Sequence, residues 1–221
     1  MTNSSAASDR TRVRRVPKRG VYERSAIDAI LDEALICHVG FVHGAQPFVI
    51  PTIHWRIGDE LFIHGSAVSR MMEQGGSEAP LCITVTLLDG VVLARSAFHH
   101  SMNYRSVVIL GQARVVSDAD EKLNSLTVLV NRFSPGRAER VRAPNPQELK
   151  ATTVLALPIA EASAKVRTGG PIDDEEDLQR PVWAGVIPLR VEALPAVVAE
   201  PRAAAEEVPS LGHPFGARPP A

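Results

Sequence analysis

Three apolar, strand-like runs follow one another with almost no chain between them. Ile36-Cys37-His38-Val39-Gly40-Phe41-Val42 leads through His43-Gly44-Ala45-Gln46 into a run from Pro47 to Trp55. Gly58-Asp59 then leads into Glu60 to His64. Connections this short join only antiparallel neighbours, because a parallel crossover needs a dozen residues or more. The chain is therefore committed early to consecutive hairpins, the opening of a β-meander.

The later sequence repeats the theme. Leu81-Cys82-Ile83-Thr84-Val85-Thr86-Leu87-Leu88 is rich in β-branched residues and reads as a strand, with Asp89-Gly90 as a turn after it. Val91 to Phe98, Arg105 to Val116 and Thr152 to Ile159 read as further strands. Ala160 to Arg167 reads as an extension of the last of these, and Trp183 to Val191 as the final strand. Helical spacing occurs twice at length. Ser25, with Asp28 three residues on, resembles a capping box ahead of Ile27, Ile30, Leu31, Ala34 and Leu35. Asp118 to Glu121 opens a second helix with Leu123, Leu126, Val130 and Phe133 on one face, stopped by Pro135-Gly136. A short helix is expected from Ser66 to Gln74, ended by Gly75-Gly76. About seven strands, no βαβ rhythm and no dinucleotide glycine fingerprint imply a mainly β fold, an antiparallel barrel with flanking α-helices.

Composition narrows the function. With 24 Lys and Arg against 25 Asp and Glu, the net charge of -1 offers no bulk attraction for nucleic acid or an acidic membrane. Apolar runs are too short to span a bilayer, and no signal-peptide core follows the N-terminal charges. The two cysteines, Cys37 and Cys82, lie in strand-like runs, as free thiols do in a cytoplasmic protein. Residues 1–23 read as a flexible arm made basic by Arg10, Arg12, Arg14, Arg15, Lys18 and Arg19, suited to lying over a partner subunit. Residues 24–194 read as the folded domain and 195–221 as a disordered Ala/Pro-rich tail.

The chemistry concentrates in Leu61-Phe62-Ile63-His64-Gly65-Ser66-Ala67-Val68-Ser69-Arg70-Met71-Met72. A strand end, a small-residue turn, two hydroxyls, a helix start and one arginine suit a phosphate. His64, at the strand end, is placed to face whatever carries it. A second concentration is Arg95 to Ser106, where polar, aromatic and basic side chains stand between two apolar strands. That stretch reads as a cofactor wall or a subunit contact. No histidine pair has metal-ligand spacing, no Gly-x-Ser-x-Gly elbow is present, and the acids from Asp173 to Asp177 lack calcium-loop spacing.

Four blocks carry a resemblance. They are Pro47-Phe48-Val49-Ile50-Pro51-Thr52; Phe62-Ile63-His64-Gly65-Ser66 with Ser69-Arg70; Ser101-Met102-Asn103-Tyr104-Arg105-Ser106-Val107-Val108 with Gly111; and Lys165-Val166-Arg167-Thr168-Gly169 leading to Trp183-Ala184-Gly185-Val186. In order and spacing they resemble the pyridoxamine 5′-phosphate oxidase-like, FMN-binding split-barrel proteins, and within them the nitroimidazole-resistance (Nim-type) branch.

The resemblance implies an antiparallel split β-barrel and a homodimer with FMN at the subunit interface. Val49, Ile50, Pro51 and Thr52 would run along the flavin ring, and His64 and Gly65 beside the ribityl chain. Ser66, Ser69, Arg70 and Met71 would surround the phosphate. Asn103, Tyr104, Ser106 and Trp183 would complete the cofactor wall. A histidine before the small helix is a Nim-type feature, so His64 is the candidate catalytic residue, a proton donor. Pyridoxamine phosphate oxidases carry lysine where Met71 stands and a basic residue where Ile53 stands, and their C-terminal arginine and histidine have no match after Trp183. These departures argue against a pyridoxal-phosphate-forming oxidase and for an FMN-dependent oxidoreductase acting on a small acceptor, nitroreductase-like. A non-enzymatic flavin- or haem-binding protein and a deazaflavin-dependent reductase stay open as alternatives.

Overall fold

The computed structural model describes residues 5–199 and 208–212. Its strands are β1 (Gly20–Val21), β2 (Ile36–His43), β3 (Gln46–Ile57), β4 (Glu60–Ser66), β5 (Pro80–Leu93), β6 (Ser101–Gln112), β7 (Arg114–Val115), β8 (Thr152–Pro158), β9 (Ala162–Arg167) and β10 (Gly185–Pro188). Its helices are α1 (Arg24–Glu33), α2 (Arg70–Gly76), α3 (Ala119–Phe133) and α4 (Pro146–Ala151). The strands pair in the order β1-β9-β6-β5-β2-β3-β4-β8-β7, with β10 added to β5, and every pairing is antiparallel.

Two strands turn this sheet into a barrel. The first eight residues of β3 pair with β2 and its last four pair with β4. Across buried Ala113, β6 continues into β7, so one run of chain pairs with β5 and then with β8. The interior is filled by alternate residues, among them Val39, Leu61, Ile63, Ile83, Val107, Ile109, Leu155 and Leu157. Ile27, Ile30 and Leu31 of α1 and Met71 and Met72 of α2 belong to the same cluster. The other face of β3, β4 and β8 carries Trp55, Phe62, Val154 and Ala156, covered by Leu129 of α3. Because helix or barrel covers both faces of β8, its central four residues are all buried.

Several expectations are corrected. Among the described residues there are ten strands rather than about seven. Asp89-Gly90 makes a bulge within a single 14-residue β5, not a hairpin turn. The Asp89 carboxylate is held by Arg105 (Nε 2.9 Å, Nη2 2.8 Å), and a β-carbon at Gly90 would lie 3.0 Å from the Ile187 carbonyl of β10. The same pairing brings Ser101 to Arg105 into β6, so the polar stretch expected as a loop shrinks to a turn around Ala97–His99. Ala160 to Arg167 does not extend β8. The chain reverses after Ile159 and β9 joins β6 and β1 on the opposite flank.

At α1 the N-cap is Glu23, whose side chain makes no capping bond to the helix, and Asp28 accepts from Arg24 Nε at 2.7 Å. Its C-terminus is satisfied from a distance: Arg132 of α3 donates to the carbonyls of Leu31 (3.1 Å), Asp32 (3.1 Å) and Ala34. Helix α2 starts at Arg70, because Ser66 is still paired with Thr152. Gly75 lies within α2, where a β-carbon would stand 2.5 Å from Leu155 Cδ1. Helix α3 is capped as expected, Asp118 Oδ1 accepting from Glu121 N at 2.8 Å.

The basic N-terminal stretch touches the body. Ser8 Oγ donates to Glu161 (2.6 Å), Thr11 is buried, and Gly20–Val21 pairs with β9 ahead of the boundary expected at residue 24. The tail expected from residue 195 lies partly outside the described residues, as do residues 1–4. Gly212 N donates to the Phe133 carbonyl at the end of α3 (2.8 Å). No described helix is long and apolar enough to cross a membrane.

Candidate cofactor site

The barrel opens where β3 and β4 part. They pair only from His54↔Ile63 to Ile57↔Glu60. Beyond that point residues 64–66 of β4 stay with β8, while residues 46–53 of β3 stay with β2. The split is bounded on one side by Val49 to Ile53 and on the other by His64 to Ser66 and the turn into α2. The first two sequence blocks therefore converge on one place.

On the β3 side, alternation puts Val49 (67% exposed) and Pro51 on the outer face, opposite Gly40 and His38 of β2. Ile50 packs against the barrel core and Thr52 is half-buried. On the other side, Arg70 opens α2 with its guanidinium 4.7 Å from the Phe48 ring centroid. Phe48 in turn stacks on Phe41 with centroids 5.5 Å apart. Among the described residues, the side chains of Ser66, Ser69 and Arg70 have no hydrogen-bond or ion-pair partner. Two hydroxyls and an unpaired guanidinium at the mouth of a split make a donor set able to take a phosphate.

Other candidates stand elsewhere. Met71 is 5% exposed and belongs to the barrel core, and Gly65 faces Met72. Asn103 is buried. Its Nδ2 donates to the Gly169 carbonyl (3.1 Å) and its Oδ1 accepts from Arg167, which holds the turn after β9. Tyr104 and Ser106 alternate with it, half-buried, and Ser106 Oγ donates to the Lys165 carbonyl (3.3 Å). Trp183 is exposed, its indole against Gly185 ahead of β10, which pairs with residues 90–93 of β5. Within one chain, the split thus gathers Val49, Ile50, Pro51, Thr52, Gly65, Ser66, Ser69 and Arg70, but not Asn103, Trp183 or the His64 side chain, which turns to the other face of β4.

His64 faces a second space. Beside Ile53 and Thr152 it forms the floor of a cavity of about 570 Å³ roofed by α3, the segment 138–144 and Glu148 of α4. Leu123, Leu126, Val130 and Phe133 supply apolar walls. Their helical spacing is visible in the sequence as a buried face, but nothing there shows that the strands beneath leave that face partly unfilled. The His64 ring lies 5.7 Å from Trp55, tilted by 60°. Its Nδ1 is buried without a partner, and burial lowers its pKa, so the imidazole is neutral at pH 7.

His54 behaves as a core residue. Its Nε2 donates to the Leu31 carbonyl at 2.9 Å, and burial brings its pKa down to about 4. Burial pushes the Cys37 thiol up to about 12 and also raises Cys82, so neither is a nucleophile at neutral pH. Sequence reasoning missed Phe48 as the platform for Arg70. The signal was weak, since Phe48 of β3 and Arg70 of α2 are brought together only by the fold.

Comparison with known proteins gives a consistent answer. The flavocytochrome Anf3 from Azotobacter vinelandii is 44% identical, with 96% of each chain covered and a TM-score of 0.86. The FAD and heme binding protein from Mycobacterium smegmatis is 38% identical, covering 86% of this chain and 94% of that one, with a TM-score of 0.82. A Bacteroides thetaiotaomicron protein named for 5-nitroimidazole antibiotic resistance is 20% identical, covering 66% of this chain and 86% of that one, with a TM-score of 0.55, and shares the fold. No curated protein sequence matches. The profile of the pyridoxamine 5′-phosphate oxidase family matches residues 23–166, and the chain belongs to that family.

Proposed function

We propose that this protein is a flavocytochrome-type electron-transfer protein that holds a flavin in the split between β3 and β4 and a haem in the cavity under α3. The observation that carries the flavin reading is the unpaired Arg70 guanidinium beside Ser66 and Ser69 at the mouth of the split. Two of the relatives, 44% and 38% identical, support both cofactors, one named a flavocytochrome and the other an FAD and heme binding protein. The cavity also fits a large apolar cofactor: its volume of about 570 Å³ and its leucine, valine and phenylalanine walls suit a planar macrocycle.

The flavin we propose is FAD, in place of the FMN expected from sequence. With Met71 in the core, one guanidinium remains for the phosphate. The 38% identical relative is named an FAD and heme binding protein, which supports FAD. The proposed reaction is oxidoreduction, with the flavin and haem supplying redox chemistry while the chain binds and orients them. We assign the haem, rather than a nitroaromatic, as the flavin's electron acceptor.

A second copy of the chain completes the site in this reading. Val42, Val49, Leu88, Met102 and Val108 are exposed on the outer face of β2, β3, β5 and β6, an apolar surface that a homodimer would bury. The test is direct. The purified protein should show flavin bands and a Soret band, release FAD on heat denaturation, and run as a dimer by light scattering. A protein that takes up no flavin from FAD or FMN refutes the reading.

A further inference from the structure

We propose that His64 is the axial ligand of the haem, held in the cavity between the β3–β4 floor and α3; this rests on the two-cofactor reading above. His64 is the only histidine, cysteine or methionine among the described residues that lines this cavity. The others are committed or remote. His54 is sealed in the core on the Leu31 carbonyl, His43 contacts Gln74, His99 pairs with Asp174, and His100 bonds the Ser96 carbonyl. His38 lies opposite Pro51 on β2, outside the cavity lining. Met71 and Met72 face the barrel interior.

The ring is prepared for a metal in three ways. It has no hydrogen-bond partner among the described residues. Nδ1 is buried, whereas Nε2 keeps accessible surface, which leaves it as the nitrogen open to the cavity. Trp55 packs against the ring at 5.7 Å and fixes its plane where a hydrogen bond from Nδ1 would otherwise do so. At the rim Arg142 pairs with Glu148 (2.7 Å), placing one cation where a carboxylate-bearing edge would emerge to solvent. His64 is then a haem ligand rather than a proton donor to the flavin, although the residues that follow it border the split.

The test uses the full chain reconstituted with haemin and FAD. His64→Ala should lose haem affinity by more than roughly ten-fold while keeping its flavin stoichiometry and thermal transition. His64→Gly should regain a low-spin Soret and EPR signature on addition of imidazole. Val130→Trp fills the cavity without touching the ligand, and should exclude haem yet retain flavin. His43→Ala should bind haem as wild type does. A His64→Ala protein with the wild-type haem spectrum, or a His64→Gly protein whose spectrum ignores imidazole, overturns the assignment while leaving the two-cofactor reading standing. A wild-type protein that takes up flavin but no haem overturns both.

Discussion

The two faces of β4 are built from similar residues and finished differently. Inward, Leu61 and Ile63 are 0% and 2% exposed, locked among Leu155, Leu157, Met71 and Met72. Outward, Phe62 stacks on Trp55 with centroids 5.8 Å apart, and one step later His64 opens onto a cavity. A protein interior is ordinarily packed to crystal density, so an apolar volume left beside a filled core marks a place kept for a ligand. The barrel interior is filled, and the outer layer leaves open the space in which the proposed haem would sit.

The largest expected break in this contrast is Leu155→Ala. It removes a fully buried side chain that touches the close approach of Gly75, and should cost about 2–5 kcal/mol by denaturant titration. A loss below about 1 kcal/mol would show that the barrel interior is no better packed than the outer layer.

Acid is the next probe. His54 has a folded pKa of about 4 against an ordinary value near 6.5. The unfolded chain therefore binds the proton first. The stabilisation is complete above about pH 6.5 and falls as pH drops toward 4, by roughly 3 kcal/mol in all. His54→Gln should flatten that limb of the stability–pH curve, and an unchanged slope would refute the assignment.

Arg70→Ala tests the split rather than the core. Loss of one charged hydrogen-bonding group, about 1.5–3 kcal/mol, should weaken flavin binding roughly ten- to a hundred-fold by fluorescence titration, with little change in apoprotein melting. Arg114→Ala, which breaks exposed pairs with Glu60 and Glu121, should leave flavin affinity as it is. The smallest effect is expected for Leu126→Ala on the cavity wall, under about 1 kcal/mol of apoprotein stability, because its side chain already borders open space. A cost comparable to Leu155→Ala would mean that the cavity wall is as tightly held as the core.

Much of this was legible from local pattern. The hairpins from Ile36 to His64, the Asp118 cap and the short helix that follows Ser69 all depend on residues close in sequence, so periodicity and turn chemistry reach them. What local pattern missed depends on distant partners. Asp89-Gly90 has the composition of a turn, yet Arg105 and β10 hold it straight as a bulge. Met71 follows Ser-Arg as a phosphate residue would, yet the helical turn carries it into the core. Asn103 reads as cofactor wall, yet it pairs with Arg167 and Gly169 from a strand about sixty residues away.

Sequence alone determined that the chain is an antiparallel barrel, because short connections and alternating apolar residues admit few other folds. The tertiary structure decided which way His64 points. Strand alternation places it opposite Ile63, away from the barrel core, but only the packing of α3 on Trp55 and Phe62 leaves apolar space above it. That space is a difference between what the strands present and what the helix covers, a quantity that exists only once both are in place.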